Sequence, residues 1–168
     1  LGGVNLGYHS GPADTESRQL ILDQGASLFT TAGLDSSAMP NLAQARWQKL
    51  VWNVPYNGLA VLLNTGTSAL MGNPDSRALI AAIMQEVIDG AGACGHPLPP
   101  GLADKLLVAT DRMPDYLPSM YHDFALHRPL ELHAIYTAPL QAAAQAGCAM
   151  PRTEALYQTL RFIEQRPQ

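Results

Sequence analysis

The chain has 168 residues, 47% of them hydrophobic and 14% charged, with a formal net charge of -4. That suits one domain, or a domain plus a fragment, with enough apolar surface for a core without staples, and it excludes a disordered charged tail. The acidic balance argues against a nucleic-acid groove or a polybasic membrane patch, and no apolar run approaches the roughly 20 residues of a membrane span. Residues 1–10 have no basic region followed by an apolar one, so they do not read as a signal peptide; the absent initiator Met predicts a start inside a longer protein. Val4-Asn5-Leu6-Gly7-Tyr8-His9 alternates between glycine-containing flanks and predicts a short strand. Asp14-Thr15-Glu16 opens a helix predicted to run to Gly33, with Leu20, Ile21, Gln24 and Leu28 along one side. Leu34 to Pro40 reads as a Ser-rich connection.

From Asn41 onward the pattern is helical. Asn41 is predicted to cap a helix that reaches Asn64, with Leu42, Ala45, Leu50, Val54, Val61 and Leu62 on its apolar face. Pro55 lies inside it and predicts a kink. Thr65 to Pro74 reads as a loop, and Asp75 as the cap of a helix that ends near Gly90. His96 to Gly101 is a rigid break, followed by a helix over Leu102 to Thr110 and a second break from Met113 to Pro118. Ser119 is predicted to cap a helix through Leu126. Pro129 opens another, Leu130 to Ala146, with Gly147 as its stop, and the last covers Thr153 to Glu164. Cys94 and Cys148 form no CxxC pair and no metal-ligand spacing, so they read as free, buried thiols in a reducing compartment.

Few residues invite a chemical reading. Gly90-Ala91-Gly92-Ala93-Cys94-Gly95 satisfies G-x-G-x-x-G, but it follows a helix and leads into Pro97. A dinucleotide fingerprint must follow a strand and open a helix, so this run reads as a helix end with a glycine cap. Lys49, Asn53 and Asn57 stand at i, i+4 and i+8, each rotated by about 40° from the last, and form a shallow polar stripe among apolar neighbours. Two mid-helix asparagines need a reason, because Asn is a poor helix former. Spacing alone leaves a solvated face and a site both open. Ser119 is an ordinary N-cap and Glu131 an ordinary first-turn acid, and a functional role for either is left open. His122, His127 and His133 lack the pairing of a zinc helix, so no metal is expected.

The run Arg46-Trp47-Gln48-Lys49-Leu50-Val51-Trp52-Asn53-Val54-Pro55-Tyr56-Asn57 closely resembles the opening helix of the C-terminal domain of ketopantoate reductases (2-dehydropantoate 2-reductases), a W-x-K-L-x-x-N-x-x-x-N pattern. Pro118-Ser119-Met120-Tyr121-His122-Asp123 with His127-Arg128-Pro129-Leu130-Glu131-Leu132 resembles the family's S-S-M-x-Q-D … R-P-x-E-I-D segment. Gly147 to Pro151 with Leu156, Tyr157 and Leu160 is similar to its terminal G-V-x-x-P … L-x-x-L. Residues 1–40 resemble the last strand and helix of its nucleotide-binding domain, so the resemblance covers nearly the whole chain, with three motifs in order at family spacing.

The resemblance implies a mainly α fold. Residues 41–168 become an all-helical substrate-binding and catalytic domain resembling the C-terminal part of 6-phosphogluconate dehydrogenase. Residues 1–40 become a strand-plus-helix remnant of an NADP-binding Rossmann domain. It implies reduction of a small 2-oxo acid, 2-dehydropantoate to pantoate in pantothenate biosynthesis, in the cytoplasm. NADPH is implied for the full-length protein, and none is expected on this fragment, which should be inactive alone.

By the same resemblance Lys49 matches the catalytic general acid. Glu131 matches the acid that contacts the substrate hydroxyl. Asn53, Asn57 and Ser119 match substrate-binding residues, and Asp123 a structural aspartate. Lys49 lies between Trp47, Leu50 and Trp52, so its partial burial is expected, with Glu131 placed to hold it charged. The chain departs from the family at Pro118, His122 and His133. It also lacks an asparagine near Gly66-Thr67, Asn64 and Asn73 being out of register, which leaves the identity of the 2-oxo acid open. A related 2-hydroxy or β-hydroxy acid dehydrogenase, and a non-catalytic helical dimerisation module, are the alternatives. The expected partners are the substrate and the chain's own Rossmann domain; a second copy stays open, and neither nucleic acid nor membrane is expected.

Overall fold

The computed structural model describes residues 3–166. The chain divides into two compact units, Leu1–Arg46 and Trp47–Gln168. In the first, β1 (Val4–Gly7), α1 (Thr15–Thr31) and β2 (Ser36–Met39) form a β-α-β unit whose strands pair in parallel, Val4 opposite Ser36 through Gly7 opposite Met39. The Ser-rich connection is therefore a strand. Ser36-Ser37-Ala38-Met39 holds no β-branched or aromatic residue, so its strand character comes from the partner backbone and not from its own propensity. Ser37 donates its hydroxyl to Asn5 Oδ1 at 2.7 Å across the pair.

α1 begins as its composition predicts: Asp14 accepts from the Ser17 amide at 2.8 Å. Its packing differs. Leu22 is its buried residue, whereas Leu20, Ile21 and Leu28, grouped along one side by spacing, are exposed, Leu28 to 73%.

α2 (Leu42–Leu63) continues as one helix through Pro55, and the division between the units falls within it. The second unit continues with α3 (Thr67–Gly72), α4 (Pro74–Ala93), α5 (Leu102–Asp111), α6 (Ser119–Ala125), a π-helical turn (His133–Thr137), α7 (Ala138–Gln145) and α8 (Pro151–Glu164). α4 is the hub: it packs on α3, α5, α7 and α8. The core around it and α2 includes Val51, Val54, Tyr56, Ile80, Ile83, Met84, Met120, Tyr136 and Leu160. Burying one such side chain stabilises the fold by about 1.5–3 kcal/mol, so this cluster outweighs any single polar contact.

Three further differences have local causes. α3 lies where a loop was expected, because the Asp115 carboxylate accepts from the Ser68 amide at 2.9 Å and caps it from a distant segment. α4 is capped by Asn73, not Asp75: Asn73 Oδ1 accepts from the Asp75 and Ser76 amides, and Pro74 stands at the first turn, where its missing N–H costs nothing. The helix expected over Leu130 to Ala146 opens with one π turn before α7.

Several helices end alike. At Asn64, Gly95, His127 and Gly147 the residue after the cap has a positive φ, and two amides fold back on the last carbonyls. The Gly90–Gly95 run is such an end, although α4 reaches Ala93 before Gly95 (φ 79) turns it off. Asn and His hold two of these left-handed positions, at a steric cost that glycine escapes.

Candidate functional site

The polar stripe on α2 does not face water along its length; it runs inward. Lys49 is exposed, Asn53 is half-buried and Asn57 is 2% exposed. A solvated face is excluded at Asn57, whose side-chain nitrogen and oxygen are both bonded within the fold. Its Nδ2 donates to the Asn53 carbonyl at 3.1 Å, and its Oδ1 accepts from the Met120 amide at 3.2 Å. The second bond does the work expected of Ser119. Met120 lies in the first turn of α6, so one orphan donor of that helix is satisfied from α2. Pro118 is the cap residue and supplies no side-chain bond. The Ser119 hydroxyl, read from sequence as the cap, makes no hydrogen bond among the described residues and is exposed.

Glu131 is exposed, two residues ahead of the π turn, and its carbonyl accepts from the Ile135 amide at 3.2 Å. The turn is tied to α2: Tyr136 donates its hydroxyl to the Val54 carbonyl at 2.7 Å. Two buried hydrogen bonds thus join the segments carrying the candidate residues, α2 to α6 through Asn57 and α2 to the π turn through Tyr136. Sequence reading gave neither bond a place, because each partner lies far along the chain. Tyr136 stood unremarked in an apolar helical run.

Two expectations about Lys49 are corrected. The flanking Trp47 and Trp52 turn to the core, Trp47 buried and Trp52 stacked on Tyr56 at 4.6 Å with its Nε1 bonded to Thr110 Oγ1, while Lys49 stays exposed. No ion pair joins Lys49 to Glu131 among the described residues. Asp123 lies 3.6 Å from Arg128, and its carbonyl accepts the Arg128 amide in the turn closing α6. Cys94 and Cys148 are free and half-buried rather than buried, and burial pushes the Cys94 thiol up. The described residues hold no cluster of three or more His, Cys, Asp or Glu set to take a metal ion.

Neither the start of α1 nor the Gly90–Gly95 run suits the pyrophosphate of a dinucleotide. The N-terminus of α1 is closed by the Asp14 carboxylate, with Glu16 in its first turn, so an incoming phosphate meets two negative charges. The Gly90–Gly95 run lies at the negative end of α4.

The family described as "Ketopantoate reductase PanE/ApbA C terminal" matches residues 41–164. The chain belongs to the ketopantoate reductase family. Its fold is that family's helical C-terminal domain, preceded by the small parallel β-α-β unit. A 2-dehydropantoate 2-reductase of Nostoc sp. is 40% identical over 138 residues, 82% of this chain and 43% of that protein. The crystal structure of the 2-dehydropantoate 2-reductase of Geobacter metallireducens superposes with a TM-score of 0.83 at 41% identity, covering 90% of this chain and 50% of that one. That of Methylococcus capsulatus gives 0.85 at 33% identity, covering 95% and 50%. The chain therefore spans about half the length of these ketopantoate reductases.

Proposed function

We propose that the whole protein containing this chain reduces a small 2-oxo acid, 2-dehydropantoate to pantoate in pantothenate biosynthesis, in the cytoplasm. Residues 41–168 are its substrate-binding and catalytic domain, and residues 1–40 the end of its nucleotide-binding domain. NADPH, the hydride donor of the proposed reaction, is held by chain outside the described residues.

Reduction of a ketone gathers negative charge on the carbonyl oxygen. The Lys49 ammonium donates a proton there and stabilises that charge, and Glu131 accepts from the substrate hydroxyl. Asn53 and Ser119 offer neutral donors to the carboxylate without competing with Lys49 for charge. Asn57 acts on substrate through α6, because its carboxamide is already committed to Asn53 and Met120.

The observation that carries this reading is an unequal use of polar groups. Among the described residues the Lys49 ammonium, the Asn53 carboxamide, the Ser119 hydroxyl and the Glu131 carboxylate have no intramolecular hydrogen-bond or ion-pair partner, while Asn57 is bonded through both its nitrogen and its oxygen. Groups left unspent on hydrogen-bonded supports suit a ligand. In the full-length protein, Lys49→Ala should lower kcat for 2-oxo acid reduction at least about 100-fold. A kcat near that of the parent would remove Lys49 from the chemistry.

A further inference from the structure

The bond between Tyr136 and α2 rests on two local irregularities that fit one another. Pro55 has no amide hydrogen, so the rung missing from α2 is the one to the Val51 carbonyl, and the Val54 carbonyl lies one residue before the proline. The Val54 carbonyl accepts the Tyr136 hydroxyl at 2.7 Å, with Tyr136 fully buried. Gly58, one turn on, leaves room for the phenol: a Cβ at that position would stand 2.5 Å from Tyr136 Oη and 2.7 Å from Leu156 Cδ2. Tyr136 itself sits in the π turn, a wider turn that resets the facing of the residues after it. Its ring lies nearly parallel to that of Tyr157, centroids 6.2 Å apart, and the Tyr157 hydroxyl meets Thr137 Oγ1 at 2.9 Å. The phenol is thus held from behind by α8 while it reaches α2. Burial pushes it far above the ordinary tyrosine range, so it remains a donor at any working pH.

We propose that Tyr136 is a positioning residue, whose hydroxyl sets the segment bearing Glu131 in register with the α2 turn bearing Asn53, and through that turn with Lys49. Gly58 and the π turn are the features that admit it. The inference rests on the assignment of Lys49 as the proton donor and Glu131 as the acceptor of the substrate hydroxyl, and extends it to a residue that touches no substrate. A hydroxyl that only stabilised the fold would change the melting temperature on removal and leave turnover alone.

The test uses Tyr136→Phe in the full-length protein, with two readouts. First, kcat for 2-oxo acid reduction should fall at least about ten-fold, with KM for both substrates held within about two-fold, as expected when reacting groups are misplaced and not when binding is lost. Second, amide hydrogen exchange should quicken in residues 53–58 and 131–137 while α5 stays at the parent rate. A kcat within two-fold of the parent, exchange unchanged in those two segments, or exchange raised equally across the domain would each overturn the proposal. Gly58→Ala supplies a second check. Its activity loss should be smaller in the Tyr136→Phe background than alone, because the hydroxyl its Cβ meets is gone; equal losses in both backgrounds contradict the fit. Full reductase activity in Lys49→Ala would end the assignment of Lys49, and the exchange pattern of Tyr136→Phe would still decide whether the hydroxyl registers the two segments.

Discussion

Asn53 and Asn57 are the same residue type one helical turn apart, yet the fold uses them oppositely. Asn57 is buried with donor and acceptor both bonded, and its loss would leave the Met120 amide unpaired in the core. The Asn53 side chain makes no hydrogen bond among the described residues, although its carbonyl anchors Asn57. Asp115 shows the same long-range capping at the surface. It accepts from the Ser68 amide, and that bond, ahead of those from the Ser68, Tyr116 and Thr67 groups, holds its carboxyl below the usual aspartate range. A carboxyl lowered in the folded state stabilises above its ordinary value of 3.8, and that contribution is lost as pH falls through the lower folded value. Asp115→Asn should therefore melt below the parent at neutral pH, with the gap narrowing below about pH 3.8 as Asp115 itself protonates. A gap of constant size from pH 7 into acid, followed by circular dichroism, would show that the charge on Asp115 has no part in holding α3.

Among the elements, α8 depends most visibly on a residue outside itself. Glu86, on α4 and 7% exposed, accepts from the Arg152 and Thr153 amides at 3.0 and 2.9 Å and from Thr153 Oγ1 at 3.0 Å; Arg152 Nη1 adds a contact at 3.2 Å. One carboxylate thus supplies the N-terminal cap that Met150 cannot. Glu86→Ala would strand the amide and hydroxyl of Thr153, which is 0% exposed, at a cost of about 2–4 kcal/mol. The melting temperature should drop by roughly 5–10 °C. Glu86→Gln keeps one acceptor and should lie between; equal stability in all three proteins would refute the capping role.

These long-range caps also mark where the sequence stopped being legible. α2, α4, α5 and α8 show a helical apolar period with a proline or an Asx residue near the start, and a local reading finds them. β2 escapes it because Ser37 owes its strand to Asn5, 32 residues earlier. α3 escapes it because its cap, Asp115, comes 47 residues after Ser68. The π turn is hidden in a run whose pattern suits an unbroken helix. In the site, the stripe of Lys49, Asn53 and Asn57 was visible from spacing. That its far end turns into the core was not, because the partner of Asn57, the Met120 amide on α6, comes 63 residues later.

At the scale of the whole molecule, the chain has the family's helical domain and a β-α-β piece, over about half the length of the ketopantoate reductases it matches. In the β-α-β piece the start of α1 is closed by Asp14, with Glu16 in its first turn. These 168 residues alone should therefore show no measurable turnover and no micromolar NADPH binding by calorimetry; micromolar affinity would contradict the division of labour proposed for the two domains. The proposal that four unspent polar groups on bonded supports receive a 2-oxo acid is tested most directly by a crystal structure of the full-length protein with the 2-hydroxy acid product bound. The account predicts Lys49 Nζ and Glu131 within about 3 Å of the product hydroxyl, Asn53 and Ser119 at its carboxylate, and Asn57 still bonded to Met120. A product seated elsewhere, with Lys49 in open solvent, would contradict it.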